Sequence, residues 1–489
     1  MRKSIVYISL LLTLFMTFGC KKSESLEPLS QTELELMDMT YLYGLYLSLW
    51  TEKLPQPEPL ANGDPNLRKY TEKFRSAEEV LESLKVRTQF DRFSFIDRGG
   101  RVSEEIQEGV HVETGAMPIY LRSGNNGNLF IKLVQKGSPA EAAGLKRGMQ
   151  VISINGNTKM DYRTDSLQGF SNFYKFYSGE NLTLVVKPEG QTQTRTISLR
   201  GAPYKLNPIL TSKVVESTAG KVGYFAYTSF IAVQDTAGKK TEYYYALENM
   251  FTDFQAQGIK ELVVDLRYNG GGAVNTAEFL ANMLVPVAHG KAKMYEYKVN
   301  KYLVGEGLTK EGKAFGPTNF NKTNTLNLER IYFLATKSTA SASELLMNSL
   351  APYMDVQIIT INNEGTYGKP VGFFPVTEEK SNADIYITSF QMINNDGYGD
   401  YFTGLKGQKA DSKDGYSKEL GDPTEQMFSD ALYSINNGGR YQSAKASASR
   451  AATTGGASRE SIGSPKTNTY RDNMYKFSKS SLLNLQLPN

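Results

Sequence analysis

The chain has 489 residues, 40% hydrophobic and 22% charged, a globular composition long enough for several domains. Its 55 basic and 51 acidic residues nearly cancel, which argues against a nucleic-acid partner held in a basic groove. One cysteine and two histidines exclude an internal disulfide and cysteine-rich zinc ribbons, and leave almost no room for histidine-rich metal sites. Neither His111 nor His289 sits in a Ser/Asp pattern, so proton chemistry falls to Lys, Asp, Glu or Tyr, with no metal or organic cofactor expected.

Arg2 and Lys3 precede an apolar run from Ile5 to Phe18 that is too short for a comfortable membrane span. It ends at Thr17-Phe18-Gly19-Cys20, which resembles the lipobox of bacterial lipoproteins, with Thr17 where Leu is usual. The resemblance implies a signal peptide over 1–19, lipidation of Cys20 and a polar tether over 20–31. The protein would be exported and lipid-anchored to a bacterial membrane, on its periplasmic or cell-surface side. An ordinary secretory signal with an incidental Cys20 is the alternative, and both readings export the chain.

Residues 32–98 read as a small helical domain. Leu34, Met37, Tyr41, Leu45 and Leu49 recur at helical spacing and stop before Pro55 and Pro57. A second helix opens at Ser76, with Glu79 completing a capping box. The single tryptophan, Trp50, is assigned to core or inter-domain packing.

Over 112–200 the period becomes two, with strands at 129–134, 150–154, 182–186 and 194–199. Between the first pair lies Gly137-Ser138-Pro139-Ala140-Glu141-Ala142-Ala143-Gly144-Leu145-Lys146-Arg147-Gly148, which resembles a PDZ domain. Such domains add the end of a peptide as a strand and hold its carboxylate on backbone amides. The resemblance puts that loop near Met117-Pro118-Ile119-Tyr120, making Met117, Ile119 and Tyr120 candidate peptide-binding residues, although Pro118 lacks an amide donor.

From 215 to 436 strands and helices alternate as in an α/β layer, and 437–489 reads as a low-complexity basic tail without a core. Three segments of the layer pair a buried strand with an unusual loop. Glu261–Leu266 runs into Arg267-Tyr268-Asn269-Gly270-Gly271-Gly272. Ile331–Leu334 runs into Thr336–Glu344, and Val356–Ile361 leads to Gly368-Lys369. If these strands are parallel neighbours, the loops meet at one carboxyl edge, with two helix N-termini pointing N–H groups into one crevice. A serine at a strand-to-helix junction has the exposure of a nucleophile, and with histidine scarce Lys369 is the natural base. Free lysine has a pKa near ~10.4, so desolvation must lower it by about 3 units, roughly 4 kcal/mol. Tyr367, Pro370, Val371, Phe373 and Phe374 supply apolar company for that purpose.

These residues resemble the carboxyl-terminal processing peptidases, Ser-Lys serine proteases that carry a PDZ domain. The likeness runs from about 112 to 376 and rests on Thr339-Ala340-Ser341-Ala342-Ser343-Glu344, Asp265-Leu266-Arg267 with Asn269–Gly272, and Gly368-Lys369. It implies Ser341 as nucleophile, Lys369 as general base, and the Gly271 and Ala342 N–H groups as the oxyanion hole. Pro370 and Phe373 stand where many members have a Gly and a lysine-orienting Gln. Asp265 and Arg267 have a plainer reading as strand-end charges, Ser343 as a cap or hydroxyl support, and Glu344 as a first-turn acid. The glycine run matches neither nucleotide-binding glycine pattern.

The expected whole is a multidomain α+β protein: a helical N-terminal domain, a PDZ-like β-rich domain, and an α/β protease core of layered sheet and helices. Its expected function is cleavage of unfolded or C-terminally exposed polypeptides through an acyl-enzyme. The rival is a catalytically weak or inactive peptide-binding lipoprotein that keeps the protease shell as a scaffold. A carbohydrate-handling surface protein has only the aromatic content in its favour.

Overall fold

The computed structural model describes residues 28–88, 90–123, 125–441, 460–463, 465 and 474–475. The signal peptide and Cys20 lie outside the described residues. Among the described residues no helix is long and apolar enough to cross a membrane.

The centre is a six-stranded sheet in the order 409–412, 355–361, 330–334, 261–265, 220–227, 209–217. All neighbouring pairs are parallel except the last. Strand alternation sorts the side chains to two cores. Leu262, Val264, Ile331 and Phe333 face the helices Glu242–Ala256, Val274–Leu284 and Ala342–Leu350. Val263, Tyr332 and Leu334 face the helix Gln426–Asn436 through Met427, Phe428 and Ala431. The expected parallel neighbours are therefore present, and the glycine, serine and lysine loops leave one edge.

A second sheet is built on Val371–Glu378 and Ala383–Asn394, paired antiparallel. Residues 32–98 belong to this layer instead of forming a separate domain. Phe95–Arg98 pairs with 383–386, and Leu36, Met37, Tyr41 and Leu47 of the helix Gln31–Leu47 share one core with Phe374, Ile385 and Ile387. That helix ends well before Pro55 because tertiary partners take over. Asn300 Nδ2 donates to the Tyr46 and Ser48 carbonyls at 2.9 and 2.8 Å, and Leu49 N–H donates to Thr388 O at 2.9 Å. The helix Ala77–Thr88 does open after Ser76, whose Oγ accepts the Glu79 N–H at 3.2 Å. Glu79 reaches back to the Arg75 N–H at 2.7 Å, one residue earlier than a capping box requires.

The PDZ-like unit is an antiparallel sheet of 116–123, 126–134, 150–154, 181–187 and 195–200 around Tyr120, Ile131, Val151 and Leu184. Ser138 caps the helix Pro139–Ala142 by accepting the Glu141 N–H at 3.2 Å, with Pro139 in the first turn. Met117–Tyr120 is strand, not a carboxylate loop. Tyr120 is buried in the unit's core, with its hydroxyl on Asp165, and Ile119 is buried against Tyr416 of the layer beneath. Met117 is half-buried and its sulfur receives Gln135 Nε2 at 4.0 Å. The side chains of Ile119 and Tyr120 therefore cannot line a peptide groove; what this strand offers is its main-chain edge.

That edge is taken. Ser461–Gly463 pairs antiparallel with 120–121, and Met474–Tyr475 lies parallel between Gly272–Ala273 and Phe373. The residues described beyond 441 thus pair with both sheets, where composition suggested a tail without a core.

Candidate active site

Ser341 and Lys369 are brought together by Glu344. One carboxylate oxygen of Glu344 accepts both the Ser341 N–H and the Lys369 N–H, each at 2.8 Å. The other accepts the Gly368 N–H at 2.8 Å and the Thr366 hydroxyl. A further strut runs from Tyr367 N–H to Thr339 O at 2.9 Å. Glu344 is fully buried, and that burial pushes its carboxyl up against the pull of its four donors. Its three-residue offset from Ser341 is capping-box spacing, but only the Glu344 half of the box is made, because Ser341 Oγ has no hydrogen-bond partner among the described residues.

Ser341 precedes the helix Ala342–Leu350 with φ 62° and ψ −111°, a conformation a non-glycine residue adopts only under restraint. Such strain costs on the order of 1–3 kcal/mol and presents a side chain at a sharp strand-to-helix turn. Ser341 is nevertheless completely buried. Its restraint comes from Glu344 on its N–H and Leu345 N–H on its carbonyl at 2.8 Å.

Lys369 is 1% exposed. Its Nζ lies 4.7 Å from the centre of the Phe93 ring and 4.5 Å from that of Phe373. The expected dry surroundings are present, and Phe373 serves as a wall where many relatives would have an orienting Gln. Phe93 had no sequence signal, coming from a turn far upstream. Asp91 holds that turn by accepting the Phe93 and Ser94 N–H groups at 3.1 and 3.0 Å, and Arg92 reaches the Gly368 carbonyl at 3.1 Å.

The two amides expected to form an oxyanion hole differ in their surroundings. Ala342 opens its helix, where the helix supplies no carbonyl for its N–H. Gly271 N–H instead donates to Asn269 Oδ1 at 2.9 Å, the short local turn that Asn side chains favour. Asn269 stitches the two loops: its carbonyl accepts Ala340 N–H and Ser343 Oγ at 3.1 Å each, and its Nδ2 donates to Tyr227 O at 2.9 Å. Gly272 is a glycine by necessity, with φ 137° and room for no Cβ beyond 2.4 Å from the Phe230 carbonyl.

Behind the glycine loop lies a buried ion cluster. Arg267 binds Asp265 at 2.8 Å, Glu425 at 2.8 Å and Asp414 at 3.0 Å. Arg147, from the PDZ-like unit, joins Asp414 and donates to the Tyr268 hydroxyl at 2.6 Å and the Lys418 carbonyl at 2.9 Å. Burial would push the Asp414 carboxyl up, but the Arg147 and Arg267 guanidiniums outweigh it and bring it down to about 2. Among the described residues no cluster of three or more His, Cys, Asp or Glu is arranged to hold a metal.

The sequence pattern of peptidase family S41 matches residues 221–406, and that of the PDZ domain matches 106–172. The S41 match takes in the glycine, serine and lysine loops described above. A carboxyl-terminal-processing protease of Picosynechococcus is 28% identical to this chain over 241 residues, covering 49% of this chain and 50% of that one. A carboxyl-terminal-processing protease of Synechocystis is 24% identical over 312 residues, 64% of this chain and 63% of the relative. The aligned stretches thus span half to somewhat under two thirds of those relatives. In fold the chain is similar to the crystal structure of an S41 protease from Bacteroides fragilis. Their TM-score is 0.61 at 24% identity, over 84% of this chain and 99% of that one.

Glu344 holds the main chain at both Ser341 and Lys369. In Glu344→Gln the amide nitrogen cannot accept, so one set of donors loses its partner, at about 1–3 kcal/mol. The expected result is a fall of about 10- to 100-fold in kcat with KM little changed. A base acts only when unprotonated, so removing this carboxylate should also move the acidic, rising limb of the pH–rate profile to lower pH. A limb that stays in place while kcat falls would reduce Glu344 to packing.

Proposed function

We propose that the chain is an exported, lipid-anchored serine endopeptidase acting on unfolded polypeptides or exposed C-terminal tails through a Ser-Lys dyad. The observation that carries this reading is the single Glu344 oxygen that holds the amides of Ser341 and Lys369. Ser341 Oγ attacks the scissile carbonyl as Lys369 Nζ takes its proton. The proton returns to the leaving amine, and water then cleaves the acyl-enzyme. Ala342 N–H supports the oxyanion from the helix N-terminus, and Gly271 N–H joins it on leaving Asn269. The PDZ-like unit docks substrate tails by strand addition.

Casein or tailed-peptide cleavage by the native chain, Ser341→Ala and Lys369→Ala tests this; equal cleavage by all three rejects the dyad. The rival is a peptide-binding S41 scaffold without turnover, favoured by the unpartnered Ser341 Oγ and the engaged Gly271 N–H. Tight peptide binding with no cleavage across a wide pH range would select it. Lipidation predicts a mature N-terminus at acylated Cys20 by mass spectrometry, and an unmodified start elsewhere removes the anchor.

A further inference from the structure

The described residues after 441 lie at two places that an incoming polypeptide would need. At the PDZ-like unit, Ser461 stands opposite Leu121 and Gly463 opposite Tyr120, and Arg122 N–H donates to Glu460 O at 2.7 Å. Arg122 and Glu460 also form an ion pair at 3.3 Å, and Ile462 packs against the unit's core. This is pairing on an otherwise open sheet edge, the mode by which such units take peptides.

The second place is beside the catalytic pair. Met474 stands opposite Gly272, and Tyr475 opposite both Ala273 and Phe373. The two strands bridged here begin directly after Gly271 and after Lys369-Pro370. Tyr475 is 1% exposed, its ring 5.8 Å from that of Phe373 and 5.4 Å from that of Tyr386. It sits in the same apolar cluster as Phe93, and Phe373, one of the two rings flanking Lys369 Nζ, helps to line its pocket. A two-residue strand has little intrinsic stability, so the slot and the aromatic pocket must hold it.

We propose that Glu460–Gly463 and Met474–Tyr475 form a resident peptide of this chain, holding the PDZ edge and the strand slot beside Ser341 and Lys369. Incoming polypeptide must displace it. The slot is thus an extended-peptide site with a pocket for an aromatic side chain, filled in cis by Tyr475. The engaged Gly271 N–H and the unpartnered Ser341 Oγ fit a resting site that awaits exchange of occupants. Competition with substrate, as distinct from occupancy, rests on the peptidase reading above.

Hydrogen exchange on full-length Ser341→Ala tests occupancy without activity. Amides of 460–463 and 474–475 should be protected, and excess casein should release them. In the active full-length chain, Tyr475→Ala and Ile462→Asp should each raise casein cleavage at low substrate by about ten-fold, through KM and not kcat, because the competent fraction rises. Ile462→Asp alters only the PDZ edge, so it reads the effect even if Tyr475→Ala disturbs folding. Unprotected segments, or unchanged KM in Ile462→Asp with an unaltered melting temperature, would overturn the proposal. Protection relieved by casein in a chain that cleaves nothing would uphold the resident peptide and defeat the peptidase reading. Ser341-dependent cleavage with unprotected segments would do the reverse.

Discussion

Lys369→Ala should lower kcat/KM on casein by about 10²- to 10⁴-fold, the usual worth of a positioned acid–base group, and Ser341→Ala should leave only background. The two losses should not add. Once the proton acceptor is gone the hydroxyl is a weak nucleophile, so Ser341→Ala/Lys369→Ala should match the worse single variant. Lys369→Arg should be as damaging as Ala, because a guanidinium stays charged and cannot accept the serine proton. The Phe93 wall gives a graded control. Phe93→Ala opens the pocket to water, favours the protonated amine, and should move the acidic, rising limb of the rate profile upward in pH. Measuring kcat/KM from pH 6 to 10 separates these effects. An arginine variant retaining native activity would refute Lys369 as the proton acceptor.

Arg267→Met should give the largest loss of stability, about 3–5 kcal/mol, because it strips the shared cation from three buried carboxylates, Asp265, Asp414 and Glu425. The cluster is wholly shielded from solvent, so no water can replace the guanidinium. Adding Asp265→Asn and Glu425→Leu to Arg267→Met removes the orphaned charges and should recover much of the loss. Urea unfolding of the Ser341→Ala background measures each step. The same cluster sets an acid limit. The folded Asp414 carboxyl lies at about 2, below its ordinary value. Its contribution is therefore complete above about pH 4 and is lost as pH falls towards about 2, at a cost of about 2 kcal/mol. A midpoint unchanged by Arg267→Met would show that the cluster is dispensable.

Much of the central α/β layer was legible because its signals are local. Buried strands announce themselves by apolar runs, and the glycine and serine loops carry unusual residue strings. The Lys369 pocket was half legible: Phe373 lies four residues from Lys369, whereas Phe93 reaches it only through tertiary folding. Glu344 had the right spacing for a cap, but its second duty depends on the Gly368-Lys369 loop closing over it. The partners of Arg267 could not be read, since Asp414 and Glu425 lie in a loop and a helix cap far down the chain. Strand pairing misled in the opposite sense. Met117–Tyr120 was placed by analogy of position, yet strand alternation turns Tyr120 inward and lays Ile119 on the neighbouring layer. The segment after 441 was hardest, because a strand supported entirely by its neighbours need carry no compositional mark.

The pairing of Phe95–Arg98 with 383–386 has a consequence for biosynthesis. The stretch that supplies Phe93 leaves the ribosome long before the strand that fixes it in place, and contacts of such high sequence separation close late. Until they close, Phe93 has no fixed place beside the Lys369 amine, which stays open to water. The surroundings of that side chain are thus among the last parts of the fold to be assembled, after the strand that anchors Phe95–Arg98 has been delivered.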